Sequence, residues 1–235
     1  MIRKIRLQPL VHLSDDTVFG YEVLYRKENA SPYPSASTML DSVSSSCDYR
    51  NNFQLFINMT EKDIVNKNFC RSFLSILEKK GINGSNIVLE VSENTHPDNL
   101  PLAQQTLNLL HDYDIKIALD DFGTEYSSML FLKELPIDIV KIDKRFVQEA
   151  PSNKKSRALL NFCAQVSHDI GCTIVAEGIE TFDQLNCAKD ANVDIGQGFL
   201  FTAPFKSPRK SITPFIELCE FASLSIDSIQ KVCYC

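Results

Sequence analysis

Two adjacent carboxylates, Asp120 and Asp121, end the apolar run 117–119 and are followed by Phe122 and Gly123. They are not isolated. Glu22, Asn58, Glu90, Glu93, Lys141, Asp143, Glu177, Glu180 and Gln197 each fall in or near the end of a short run rich in β-branched residues. Carboxylates gathered in one place raise one another's pKa or require a cation, and Lys141 alone does not balance them. Oxygen donors without histidine favour a hard divalent ion, Mg²⁺ or Mn²⁺, over Zn²⁺. Neighbouring side chains of a regular strand point to opposite faces. At a strand end the backbone turns, and both aspartates can then reach one side. One of them can bridge two ions roughly 3.5–4 Å apart, the spacing of two-metal phosphoryl-transfer sites.

Each of these residues also has a plainer reading. A single acid at a strand end is usually solvated or caps the next helix, which suits Glu61, Asp183 and Asp190. Lys141 could pair only with Asp143 or Asp120. Asn58 could cap the following helix in competition with Thr60, and Gln197 could serve the backbone. The recurrence of acids at the same end of several strands favours a site. His12, His96, His111 and His168 are scattered and receive no role.

The elements that must position these residues alternate along the chain. Strands are predicted at 5–13, 18–26, 53–60, 86–93, 115–122, 139–143, 173–179 and 193–201. Helix-like runs with apolar residues at three-to-four spacing lie between most of them, among them 61–80, 97–113 and 152–170. This alternation predicts an α/β fold, a modified TIM-type (β/α)₈ barrel in which the strand ends converge on one mouth. Residues 14–17, Ser-Asp-Asp-Thr, are too few for a helical crossover, so the first two strands are predicted to form an antiparallel hairpin. An open doubly wound sheet is the rival fold, but no glycine-rich phosphate loop follows the early strands. Residues 27–50 are rich in serine and proline and read as a surface loop with one short helix near 36–46. No linker divides the chain, and residues 1–235 are expected to form a single domain.

Composition narrows the function classes. A formal net charge of −6 disfavours a general nucleic-acid binder but not a small anionic ligand held at a local metal site. No apolar run reaches membrane-spanning length, and the basic N-terminus lacks the apolar core of a signal peptide. The eight cysteines form no Cys-x-x-Cys pair, so free thiols in a reducing cytoplasm are expected.

In its motifs the sequence resembles the EAL domain family of cyclic di-GMP phosphodiesterases. The signature triplet stands as Glu22-Val23-Leu24. The runs LQPLVHL (7–13), INMT (57–60) and LEVSE (89–93) are similar to family segments, and ALDDFGTEYSS (118–128) is very close to one. LPIDIVKIDKRFV (135–147), IVAEGIET (174–181) and GQGFLFTAPF (196–205) match the remaining blocks in order. The resemblance implies an irregular barrel and hydrolysis of cyclic di-GMP to linear pGpG with two Mg²⁺ or Mn²⁺ ions. It implies Glu22, Asn58, Glu90 and Asp120 as ligands of one ion, and Asp120, Asp121 and Glu177 as ligands of the other. By the same resemblance Lys141 positions and polarises the attacking water, and Gln197 supports water at the metals or the substrate. Gln8 and Arg26 contact the dinucleotide, Glu93 anchors the loop after Asp121, and Asp143 and Glu180 are supporting polar residues. It further implies a homodimer and a signalling role between motility and biofilm.

The sequence departs from the family pattern in places. Val23 replaces the signature alanine, on the side of the strand away from the metals. Glu125 replaces a glycine in the loop after Asp121, where a positive φ would make glutamate costly. The segment 27–57 is shorter than usual, and its atypical 27–50 region offers a surface for a protein partner. No sensory or cyclase domain accompanies the motifs, so regulation is expected through oligomerisation, a partner or expression level. Two alternatives follow: a weak or inactive relative that binds cyclic di-GMP or a protein partner as a regulator, and a different Mg²⁺-dependent barrel enzyme.

Overall fold

The predicted strands all form. In the computed structural model, which describes residues 5–25, 33–44, 53–66, 68–92, 100–124, 128–202 and 216–217, they are β1 (Ile5–His12), β2 (Val18–Tyr25), β3 (Gln54–Asn58), β4 (Ile87–Ser92), β5 (Lys116–Phe122), β6 (Ile139–Ile142), β7 (Thr173–Ala176) and β8 (Ile195–Gln197). Their order is β2-β3-β4-β5-β6-β7-β8-β1, and β1 pairs back onto β2 to close the barrel. β2 through β8 run parallel, while β1 is antiparallel to both β2 and β8. The short 14–17 connection therefore makes the hairpin that its length demands. A ninth strand, β9 (Ile216–Glu217), which the sequence pattern does not announce, pairs with Arg6 and Leu7.

The helices are α1 (Ala36–Ser44), α2 (Glu61–Val65), α3 (Phe69–Lys80), α4 (Leu100–His111), α5 (Ser128–Glu134), α6 (Lys144–Glu149), α7 (Lys154–Asp169) and α8 (Phe182–Asp190). α1 falls where the serine-rich segment was read as a short helix. The single helical run expected over 61–80 is instead two helices. Asn66 leaves the helical region at φ −83°, ψ 105°, and Phe69 N then donates to Asn66 O to start the second. β7 and β8 are shorter than predicted. β8 stops at Gln197 because Gly198 lies against the backbone of Ile179, where a Cβ would come within 2.1 Å of the carbonyl oxygen. The chain then makes a 3₁₀ turn at Phe199–Phe201.

Strand periodicity sorts the side chains into layers. Leu10, Phe56, Val88, Ala118, Ile139, Val175 and Ile195 pack together as one buried layer inside the barrel. Residues of the opposite parity, among them Val23, Leu55, Ile57, Leu89, Leu119, Val140 and Ile174, pack outward beneath the helices. Val23 thus points away from the site, as expected.

Candidate active site

Six of the site residues stand two positions along the chain from a member of the inner apolar layer. Asn58 follows Phe56, Glu90 follows Val88, Asp120 follows Ala118, Lys141 follows Ile139, Glu177 follows Val175 and Gln197 follows Ile195. On antiparallel β1 the same level is reached backwards, so Gln8 precedes Leu10. Glu22 pairs with Gln8 in the β1–β2 register. A period of two residues therefore turns one apolar ring into one polar ring above it.

Lys141 is at the centre of that ring and only 1% exposed. Its Nζ lies 2.6 Å from Glu90 Oε1, 2.7 Å from Glu177 Oε1, 3.0 Å from Asp120 Oδ1 and 3.8 Å from Glu22 Oε2. Burial opposes its charge, but Asp120, Glu177, Glu22 and Glu90 outweigh burial and hold the ammonium pKa well above its usual value. Glu90 is fully buried. Burial first, then the charge of Glu22, pushes its carboxyl pKa far up against the pull of Lys141. Burial likewise raises Glu177 to about 8, with Lys141 opposing and Asp120 and Glu22 adding to the rise.

The amides fix one carboxylate. Asn58 Nδ2 donates to Glu22 Oε1 at 3.2 Å, and Gln197 Nε2 donates to Glu22 Oε2 at 2.5 Å. Asn58 thus serves the site while Thr60 caps α2, which resolves the choice between them. Gln197 likewise serves a side chain and not only the backbone.

Asp120 and Asp121 reach one side by a backbone irregularity. Leu119 pairs with Val140 and Phe122 with Ile142, so two residues of β5 oppose the single residue Lys141. Asp121 takes up the extra length at φ 58°, in the left-handed region that aspartate tolerates better than most residues. As a result, carboxylate oxygens of Asp120, Asp121 and Glu177 lie within 4.8 Å of one another.

This donor set fits divalent cations. Its oxygen donors come from carboxylates and amides, with no imidazole or thiolate among them, which suits a hard ion. Glu90 Oε2 and Gln197 Oε1 are buried without a hydrogen-bond partner among the described residues. A cation would supply the partner that such buried atoms require. Among the described residues one ammonium answers the four carboxylates of Glu22, Glu90, Asp120 and Glu177.

Beside the ring a cleft of about 430 Å³ opens. Predicted Gln8, Glu22, Glu177, Glu180 and Gln197 line it, joined by Lys144, Gln148 and Phe199, which sequence reasoning missed. α6 supplies Lys144 and Gln148, and Gln148 Nε2 donates to Glu180 Oε1 at 3.2 Å and to Gly178 O at 3.3 Å. Asp143 stands apart from the carboxylate ring. It caps α6 by accepting from Arg145 N and pairs with Arg145 Nε at 2.9 Å. Arg26, Glu93 and Glu125 lie outside the described residues.

His111 and His168 have a structural place instead of a catalytic one. His111 Nε2 lies 3.2 Å from Asp138 Oδ1, and His168 Nε2 lies 3.0 Å from Asp194 Oδ2. Each aspartate also accepts from the start of a strand, at Ile117 N and Ile174 N.

A parallel barrel closed by an antiparallel first strand, with this polar ring at its mouth, has known relatives. The EAL domain family model matches residues 35–204. The chain belongs to the EAL domain family. Cyclic di-GMP phosphodiesterase PdeL of Escherichia coli is 33% identical over 153 residues, 65% of this chain and 42% of PdeL. The E. coli protein described as a probable cyclic di-GMP phosphodiesterase, PdeG, is 34% identical over 152 residues, 65% of this chain and 30% of PdeG. The matched region thus spans less than half of either relative. Among solved structures, the EAL domain of Mycobacterium smegmatis DcpA superposes with a TM-score of 0.80 at 24% identity, covering 97% of both chains. These structural likenesses bear on the fold. Among the described residues no helix is long and apolar enough to cross a membrane.

Proposed function

We propose that this chain hydrolyses cyclic di-GMP to linear pGpG at the mouth of the barrel, with two divalent ions, Mg²⁺ or Mn²⁺. The observation that carries the reading is the complete polar ring: Glu22, Glu90, Asp120 and Glu177 all lie within 3.8 Å of Lys141 Nζ, with Asp121 brought in beside them. Membership of the EAL family and the likeness to PdeL support the choice of substrate.

Glu22, Asn58, Glu90 and Asp120 would hold one ion, and Asp120, Asp121 and Glu177 the other. When bound, the ions would activate water and offset charge on the phosphoryl oxygens. The chain's own residues do the rest. Lys141 would donate a hydrogen bond to the attacking water and so position and polarise it. Asn58 and Gln197 hold both oxygens of Glu22 in place. Gln8, with Lys144 and Gln148 across the cleft, lies where the dinucleotide enters. Water oxygen adds to phosphorus and gives up a proton to solvent, the bond from phosphorus to the ribose 3′ oxygen breaks, that oxygen takes up a proton to leave as the 3′ hydroxyl, and the product carries a 5′-phosphate. No covalent bond to the protein forms.

The test is incubation with cyclic di-GMP and Mn²⁺ or Mg²⁺, with pGpG followed by chromatography. Product is expected with the metal, and neither with EDTA nor in Glu22→Ala. Clean nucleotide binding without product would replace the enzyme by a receptor.

A further inference from the structure

The cleft is larger than one phosphodiester needs. Its volume of about 430 Å³ falls in the range of sites that enclose a whole small molecule, roughly 300–1,000 Å³. The polar ring accounts for Glu22, Glu177 and Gln197. Lys144, Gln148, Glu180 and Phe199 remain, and three segments bring them together. Lys144 and Gln148 stand four residues apart on α6 and so share a face. Gly178 lets that face come close: it sits at φ 67°, and a Cβ there would fall 2.5 Å from Lys144 Cβ. Ile179 then fixes the third segment. Its N donates to Gln197 O and its O accepts from Leu200 N, each at 3.0 Å, so Phe199 is held next to residues 178–180.

Hydrogen bonding sets one of these groups as an oriented acceptor. Gln148 Nε2 donates to Gly178 O at 3.3 Å and to Glu180 Oε1 at 3.2 Å. Carbonyl and carboxylate oxygens only accept, so the amide nitrogen must face them, and both its N–H groups are engaged. The Glu180 carboxylate is thereby oriented, and its two oxygens keep capacity for further donors. Phe199 is 59% exposed and lines the same cleft. An aromatic ring, an oriented carboxylate and an ammonium together complement a flat base that carries adjacent N–H donors and a carbonyl. Guanine is such a base, since its N1–H and N2–H lie next to O6. Adenine presents the lone pair of N1 at that place, which a carboxylate repels.

We propose that Glu180, with Lys144 and Phe199, forms a subsite for one guanine base of the cyclic dinucleotide. Phe199 stacks on the base, Glu180 accepts from N1–H and N2–H, and Lys144 donates to O6. Gln148 is a positioning residue that acts through Glu180. The inference rests on the reading of the mouth as a cyclic di-GMP site and adds the origin of its base preference.

Affinities for cyclic di-GMP and cyclic di-AMP, read by rapid mixing with Mn²⁺ before turnover, test it. Wild type should prefer the guanine form by roughly 10- to 100-fold, the worth of hydrogen bonds to a charged group. Glu180→Gln should lose most of that preference, because a glutamine amide can donate to adenine N1 and accept from N6–H. The Mn²⁺ affinity of nucleotide-free Glu180→Gln and its Tm should match wild type. Phe199→Ala should weaken both nucleotides by roughly 10- to 100-fold and leave the preference in place, because stacking accepts any base. Equal affinity of wild type for the two nucleotides, an unchanged preference in Glu180→Gln, or unchanged affinities in Phe199→Ala would each overturn the subsite and leave the reading of the site intact. Weaker Mn²⁺ binding in Glu180→Gln would also overturn it, making Glu180 a support of the metal ligands. A wild-type protein that neither binds nor hydrolyses cyclic di-GMP would overturn the reading of the site, and the subsite with it.

Discussion

Lys141→Met should destabilise the metal-free protein in a strongly pH-dependent way. In wild type one ammonium, 1% exposed, answers four carboxylates within 3.8 Å. Removing one side of a buried ion pair costs about 3–5 kcal/mol, which for a chain of this size is a fall in Tm of roughly 6–20 °C. The carboxylates have an escape, since each can take up a proton. Burial and mutual repulsion already raise Glu90 and Glu177, the latter to about 8. A carboxylate whose folded pKa is raised binds protons more tightly in the folded state. Its ionisation therefore removes stability as pH climbs from the unfolded value of about 4.5 towards 8. Without Lys141 these pKa values rise further. The loss relative to wild type should then be small at pH 5 and near its full size at pH 8. Thermal unfolding in EDTA at the two pH values measures it, and added Mn²⁺ should restore more stability to the variant than to wild type. Equal losses at pH 5 and pH 8, unchanged by Mn²⁺, would refute the view that Lys141 stabilises the fold by compensating a crowded acidic ring.

Further outcomes follow from the same geometry. Mn²⁺ affinity of the wild-type protein should rise from pH 6.5 to pH 8, because Glu177, with its pKa near 8, must lose its proton to bind an ion; titration calorimetry at the two pH values reads it. Gln197→Ala frees Glu22 Oε2 from its amide donor and should weaken Mn²⁺ binding about 10- to 100-fold, as the loss of an orienting partner does. Gly198→Ala drives a methyl group onto the Ile179 backbone and should cost about 1–3 kcal/mol, a Tm lower by roughly 2–12 °C, with Gln197 displaced and activity reduced.

Much of the site was legible because a barrel strand repeats every two residues. Phe56 to Asn58, Val88 to Glu90 and Ile139 to Lys141 are each a step from an apolar to a polar inward position, and such steps are visible in sequence. The pairing of Asp120 with Asp121 was legible only as a need for a backbone turn. The bulge opposite Lys141 and the left-handed Asp121 are what meet it. The break between α2 and α3 was not legible, since 61–80 keeps its helical spacing and only the polar stretch at 66–68 marks the interruption. Lys144 and Gln148 escaped notice for a different reason. They sit on α6, outside any strand pattern, and only the packing of α6 beside Gly178 and Glu180 carries them to the cleft.

The central claim is that one carboxylate ring holds two ions with Asp120 shared between them. Electron paramagnetic resonance of the protein loaded with Mn²⁺ tests it most directly. Two ions bridged at roughly 3.5–4 Å should give the spectrum of a magnetically coupled pair, lost in Asp120→Asn. An isolated six-line Mn²⁺ signal in the wild-type protein, or a coupled pair that survives Asp120→Asn, would contradict the account.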